Sequence, residues 1–232
     1  MTNTRKQFIH INQRIEDAFQ QSGRSFTQPI TLLAVSKRHS LQKILDLYLL
    51  GQRDFGESYL QEALQKIHAN PHKDIIWHFI GPIQSNKTKL LAENFHWVHS
   101  VDRLKIAHRL STQRAEQPTV LNICLQINIS EEAQKSGFNP DEIVSCIEEI
   151  SQLPHLSLRG LMAIPKPTNN IEQQKQVFHQ LKQLMLQLNQ QFNLTMDTLS
   201  MGMSNDLEAA IAEGATIIRV GTALFGARKM ID

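Results

Sequence analysis

From residue 31 to residue 224 the chain repeats one pattern, a short apolar segment suited to a strand followed by an amphipathic segment suited to a helix. Strand-like segments fall at 31–36, 54–57, 75–80, 97–101, 120–129, 156–164, 198–201 and 216–224, and helix-like ones at 41–50, 59–67, 87–93, 103–114, 141–153, 171–192 and 207–213. Gly51 and Gly214 are placed to stop helices, Pro140 to open one, and Asp102 to cap another. One further helix precedes the series, with Phe8, Ile11, Ile15 and Phe19 on a single stripe. Repeated β-then-α units imply parallel strands, and eight of them close into a (β/α)₈ barrel, an α/β fold. An open doubly wound sheet fits that number less well. No linker rich in Pro, Gly or Ser divides the 232 residues, so one domain over 1–232 is expected.

Composition narrows the function. A net charge of +2 is too small to argue for nucleic acid or an anionic membrane. No apolar run approaches the roughly 20 residues that span a bilayer, and the N-terminal residues do not read as a secretory signal. Cys124 and Cys146 have no metal-ligand spacing and suit a reducing compartment, so the cytoplasm is expected, and a monomer is expected as well. The ten histidines form no recognisable ligand set, and His96 and His99, three apart on a strand, face opposite ways. No metal is expected.

Barrels place their chemistry at the C-terminal strand ends. Lys37 ends the first strand, where partial burial would free some neutral amine to attack an aldehyde. Ser200-Met201-Gly202-Met203-Ser204-Asn205 follows the seventh strand and precedes a short helix, with Asn205 and Glu208 at capping-box spacing. Small residues, backbone amides and a helix start suit a phosphate, with Gly221 and Thr222 on the other side. Arg219, in an otherwise apolar strand, needs a partner and can face the ring nitrogen of a pyridine cofactor. Gly81 to Thr88 nearly spells a nucleotide loop, but Asn86 replaces its second glycine, so Ser85-Asn86 reads as a helix start.

These segments, together with Ala34-Val35-Ser36-Lys37, Phe55-Gly56-Glu57, Trp77 to Lys87, Gln126 to Ser130, Lys135-Ser136-Gly137 and Arg159 to Pro165, give the chain its family likeness. It resembles the YggS/PROSC family of pyridoxal phosphate homeostasis proteins, which look like the barrel domain of alanine racemase standing alone. The resemblance implies pyridoxal 5′-phosphate held as a Schiff base on Lys37. It also implies a phosphate on Ser200, Gly202, Ser204, Gly221 and Thr222, and a ring nitrogen facing Arg219. The family usually reads Phe-Gly-Glu-Asn-Tyr, whereas Ser58 stands here in place of the asparagine, able to donate one hydrogen bond.

The implied role is a carrier that limits free aldehyde and delivers the cofactor to acceptor enzymes, with no catalytic residue. Racemisation needs a proton-transferring group opposite the lysine. The only tyrosines are Tyr48, in a helix, and Tyr59, whose place relative to the barrel mouth the sequence leaves open. A weak amino-acid racemase is the alternative within cofactor chemistry. A Schiff-base aldolase for a phosphorylated sugar would use the same lysine without cofactor. Lys135 and Lys229 stay open as secondary sites for the aldehyde.

Overall fold

The apolar segments pair in sequence order, each strand parallel to the last, and the eighth closes on the first. The computed structural model describes residues 3–24, 29–130 and 136–226. Lys135 and Lys229 lie outside them. The elements run α1 Asn3–Gln21, β1 Thr31–Val35, α2 Leu41–Tyr48, β2 Asp54–Glu57, α3 Leu60–Ala69, β3 Ile76–Phe79, α4 Thr88–Asn94, β4 Trp97–Val101 and α5 Leu104–Arg114. They continue with β5 Leu121–Gln126, α6 Pro140–Val144, α7 Ile147–Ser151, β6 Leu156–Met162, α8 Ile171–Phe192, β7 Thr198–Ser200, α9 Leu207–Ala212, β8 Ile217–Val220 and α10 Thr222–Phe225. The expected barrel and its leading helix are both present.

Helical spacing explains the outer layer. Phe178, Leu181 and Leu188 share the inner face of α8 and are fully buried, each worth about 1.5–3 kcal/mol of apolar burial. Asn170 caps this helix, its side chain accepting from the amides of Glu172 and Gln173. Helix α1 lays Ile11, Ile15 and Phe19 against α9 and α10. Arg24 extends that contact by donating to the carbonyls of Ile211 and Ala215 at 3.2 and 2.8 Å.

Four local expectations are corrected. The helix expected over 141–153 is two, α6 and α7. Asn139 and Glu142 form a capping box around Pro140, but Ser145 Oγ turns back to the Glu142 carbonyl and Cys146 leaves helical geometry. Asp102 does not cap α5: Arg103 holds the cap position and takes the Asp102 carboxylate at 2.6 Å. Asn205 and Glu208 form no capping box, since Asp206 precedes α9 and Glu208 instead pairs with Arg14 at 2.7 Å. The eighth strand ends at Val220, because Gly221 turns the chain into α10, where Leu224 and Phe225 are buried.

Candidate functional site

A cavity of about 760 Å³ opens where β1, β3, β6, β7 and β8 end, within the roughly 300–1,000 Å³ usual for ligand pockets. Lys37 lines it. The lysine leaves β1 in a tight turn closed by the His39 amide on the Ser36 carbonyl at 3.1 Å. The next residue, Arg38, sits at φ +61°, a left-handed conformation that costs energy for a side chain of this size. Two contacts hold it: its amide donates to Glu62 Oε1 at 2.6 Å, and its guanidinium lies 5.2 Å from the Tyr59 ring centre. Lys37 Nζ donates to Ser58 Oγ at 3.3 Å, so the serine that departs from the family pattern accepts from the lysine. Ser58 in turn rests on Gly81, where a Cβ would stand 2.2 Å from the Ser58 carbonyl oxygen.

Beneath this turn is a buried charge cluster that sequence reasoning missed. Lys66 Nζ donates to the Ser36 carbonyl at 2.9 Å, Glu57 Oε1 at 2.7 Å and Glu62 Oε1 at 2.6 Å. Burial pushes the Glu57 carboxyl above its ordinary range, against the pull of Lys66 and the Ser36 hydroxyl. The signal available in sequence was the Glu62–Lys66 spacing of four on a helix. The cluster anchors the carbonyl of the residue before Lys37.

On the far wall, Ser204, Gly221 and Thr222 line the cavity with Arg219. Among the described residues the amides of Ser204, Asn205 and Thr222 donate to no protein group. Arg14 of α1 steadies this loop through the Ser204 carbonyl at 3.1 Å. Gly202 and Ser200 lie behind the wall. Gly202 has φ +89°, and a Cβ there would stand 2.6 Å from the Ala210 Cβ, so only glycine lets the loop pack on α9. Ser200 Oγ is fully buried and occupied by His99 and Arg219. Asp206, absent from the sequence reading, also lines the cavity. Burial raises its carboxyl above the usual range, and Oδ1 accepts from the Met203 amide at 2.6 Å.

Arg219 is 4% exposed and has no carboxylate at ion-pair distance among the described residues. It donates to the Ser200 carbonyl, to Ser200 Oγ at 2.9 Å and to the Ala163 carbonyl at 2.8 Å. Those bonds use three of its five N–H donors. Burial lowers its pKa to about 10, which leaves it charged at neutral pH. Neither tyrosine joins it: Tyr48 donates to Asp74 on the outer surface, and Tyr59 carries Arg38.

Comparison with known proteins supports a common ancestry over the whole barrel. A family model described as alanine racemase, N-terminal domain, matches residues 13–229. A pyridoxal phosphate homeostasis protein of Pseudomonas aeruginosa is 53% identical over 228 residues, 98% of this chain and 97% of its own length. One of the same name from Escherichia coli K12 is 44% identical over 231 residues, 98% of both chains. The solved structure of PipY from Synechococcus elongatus with PLP bound superposes with a TM-score of 0.80 at 37% identity, over 91% of this chain and all of that one (100%). Alanine racemase of Clostridium difficile, 13% identical with a TM-score of 0.73, shares the fold over 94% of this chain and 59% of its own. The chain belongs to the alanine racemase N-terminal domain family and, within it, to the pyridoxal phosphate homeostasis proteins.

Proposed function

We propose that this chain binds pyridoxal 5′-phosphate through a reversible covalent linkage to Lys37 and acts as a non-catalytic carrier in cytoplasmic cofactor homeostasis. The observation that carries this reading is the convergence on one cavity of a primary amine, unpartnered amides and a charged guanidinium with spare donors. These groups fit the cofactor's three polar ends. The cofactor supplies an aldehyde that condenses with a primary amine and is released again by water. Lys37 provides the amine, held by Ser58 toward the mouth. Ser204, Gly221 and Thr222 provide the anion cradle, with Ser200 and Gly202 shaping it from behind. Arg219 faces the ring nitrogen with N–H groups that only donate.

The same wall argues against racemisation. Besides Lys37, the titratable groups lining the cavity among the described residues are Asp206 and Arg219. Asp206 is committed to the Met203 amide within the phosphate-side loop, and Arg219 keeps its proton at neutral pH. Asp206 Oδ1 is thereby held within the phosphate-side loop rather than free for proton transfer opposite the lysine. Reversibility and a mouth open to solvent support the reading that the cofactor is passed on to acceptor enzymes.

Borohydride reduction of the loaded protein followed by peptide mapping tests the assignment. The pyridoxyl group is expected on Lys37, and Lys37→Ala should abolish it. Recovery of the label mainly on another lysine would overturn the site, and robust amino-acid turnover would overturn the carrier role.

A further inference from the structure

The interior of the barrel is not apolar throughout. Asp54 Oδ1 lies 3.0 Å from His78 Nε2, His78 Nδ1 lies 2.9 Å from His99 Nε2, and His99 Nδ1 lies 2.8 Å from Ser200 Oγ. Arg219 Nη1 completes the series at 2.9 Å from the same hydroxyl. Asp54 begins β2, whereas Ser200 ends β7, so the series crosses the barrel from its N-terminal rim to the wall of the cavity. Both histidines are at most 1% exposed.

We propose that Asp54, His78 and His99 are positioning residues for Arg219, joined to it through Ser200 by hydrogen bonds that all point one way across the barrel. The direction follows from donor counting. A guanidinium only donates and a carboxylate only accepts, which fixes both ends. Burial holds both imidazoles below the ordinary histidine range, hence neutral, with one N–H each. His78 must then donate from Nε2 to Asp54 and accept at Nδ1. His99 must donate from Nε2 to His78 and accept at Nδ1 from the Ser200 hydroxyl. Ser200 Oγ is thereby left with its lone pairs for Arg219.

The arrangement answers a physical difficulty. A buried guanidinium without a carboxylate needs strong acceptors, and a chain of aligned donors strengthens each acceptor along it. The acceptor oxygen of Asp54 is linked to Arg219 through three neutral groups, and the guanidinium is held where it lines the cavity. An ion pair at the same place would neutralise the charge that the ring nitrogen is proposed to meet.

The test has two arms, of which only the second rests on the proposed cofactor. In the unloaded protein, nitrogen-15 labelling of histidine should show His78 and His99 both as neutral rings protonated at Nε2. Asp54→Leu removes the terminal acceptor and fills its space, and the Nδ1–H form is expected to appear in both rings. Asp54→Asn retains an oxygen acceptor and should keep the parent tautomers. A proton on His99 Nδ1 in the parent, or unchanged rings in Asp54→Leu, would overturn the proposal. In the loaded protein, Asp54→Leu should displace the ring-nitrogen shift of labelled cofactor and weaken binding by about two- to tenfold, the worth of one hydrogen bond. Asp54→Asn should restore both. Equal losses in the two variants would mean that Asp54 acts by charge alone, and would also overturn it.

Discussion

Lys37 and Ser58 are joined by a 3.3 Å hydrogen bond that bridges the ends of β1 and β2. The bond gives the amine a direction before any ligand arrives. It depends on Gly81, which lets the Ser58 backbone sit against the end of β3. Three neighbouring strands thus set the position of one nitrogen.

Gly81→Ala tests that support. Its Cβ would meet the Ser58 carbonyl oxygen at 2.2 Å, so the Ser58 segment must move. A stability loss of about 1–3 kcal/mol is expected from overpacking, with poorer cofactor loading. Ser58→Ala, which removes only the hydroxyl, should cost less than about 1.5 kcal/mol. Denaturant unfolding with and without cofactor compares the two.

The proposed anion cradle predicts a vitamer preference. Charge-assisted hydrogen bonds contribute about 1.5–3 kcal/mol each, so losing two weakens binding at least about a hundredfold. Pyridoxal should bind that much more weakly than its phosphate in an equilibrium titration. Equal affinities would contradict a cradle at Ser204 and Thr222.

Lys66→Met should be among the most destabilising single changes outside the apolar core. It strands Glu57, which is 0% exposed, and losing one partner of a buried pair costs about 3–5 kcal/mol. The pH dependence has a definite sign. Glu57 already titrates above its ordinary 4.5 when folded, chiefly through burial, so the folded state holds this proton more tightly than the unfolded one. Its contribution is most favourable below the ordinary value and is lost as pH rises through the raised one. Removing Lys66 raises it further. The deficit should therefore be largest near neutrality and shrink on acidification, as urea melts across pH will show.

An Arg219 that faces the ring nitrogen, as proposed, would set the protonation of the bound ring. With a pKa of about 10 it stays charged at neutral pH, and a second positive charge one hydrogen bond away is disfavoured. Nitrogen-15 shifts should report an unprotonated ring nitrogen in the parent and a protonated one in Arg219→Glu. A protonated ring in the parent would contradict this electrostatic reading.

Much of this was legible in sequence because its signals are local. Strand and helix periods, Lys37 at a strand end, and small residues before a short helix each occupy a few consecutive positions. What escaped was relational. His78 and His99 lie 21 residues apart, and the bond from His99 to Ser200 spans 101. A histidine on an alternating strand carries no mark of which residue faces it across a barrel. Asp206 escaped for a related reason: Asn205 looked like the better cap, and only the folded loop shows the Asp206 carboxylate turned back to Met203. At the break between α6 and α7 the Ser145 and Cys146 side chains turn back to the Glu142 and Ile143 carbonyls, local preferences too small to outweigh the helical pattern around them.

The clasp between Arg14 and the Ser204 carbonyl spans 190 residues, and β1 pairs with β8 beside it. Such contacts require a long loop to close before they contribute. During synthesis Lys37 emerges well before the wall that faces it, so a nascent chain holds the amine without the cradle. The cavity wall and the closure of the barrel are completed by the same pair of strands, β1 and β8. A molecule that recognises the finished cavity acts as a thermodynamic latch on the whole circle of strands, raising the resistance of regions far from it to unfolding.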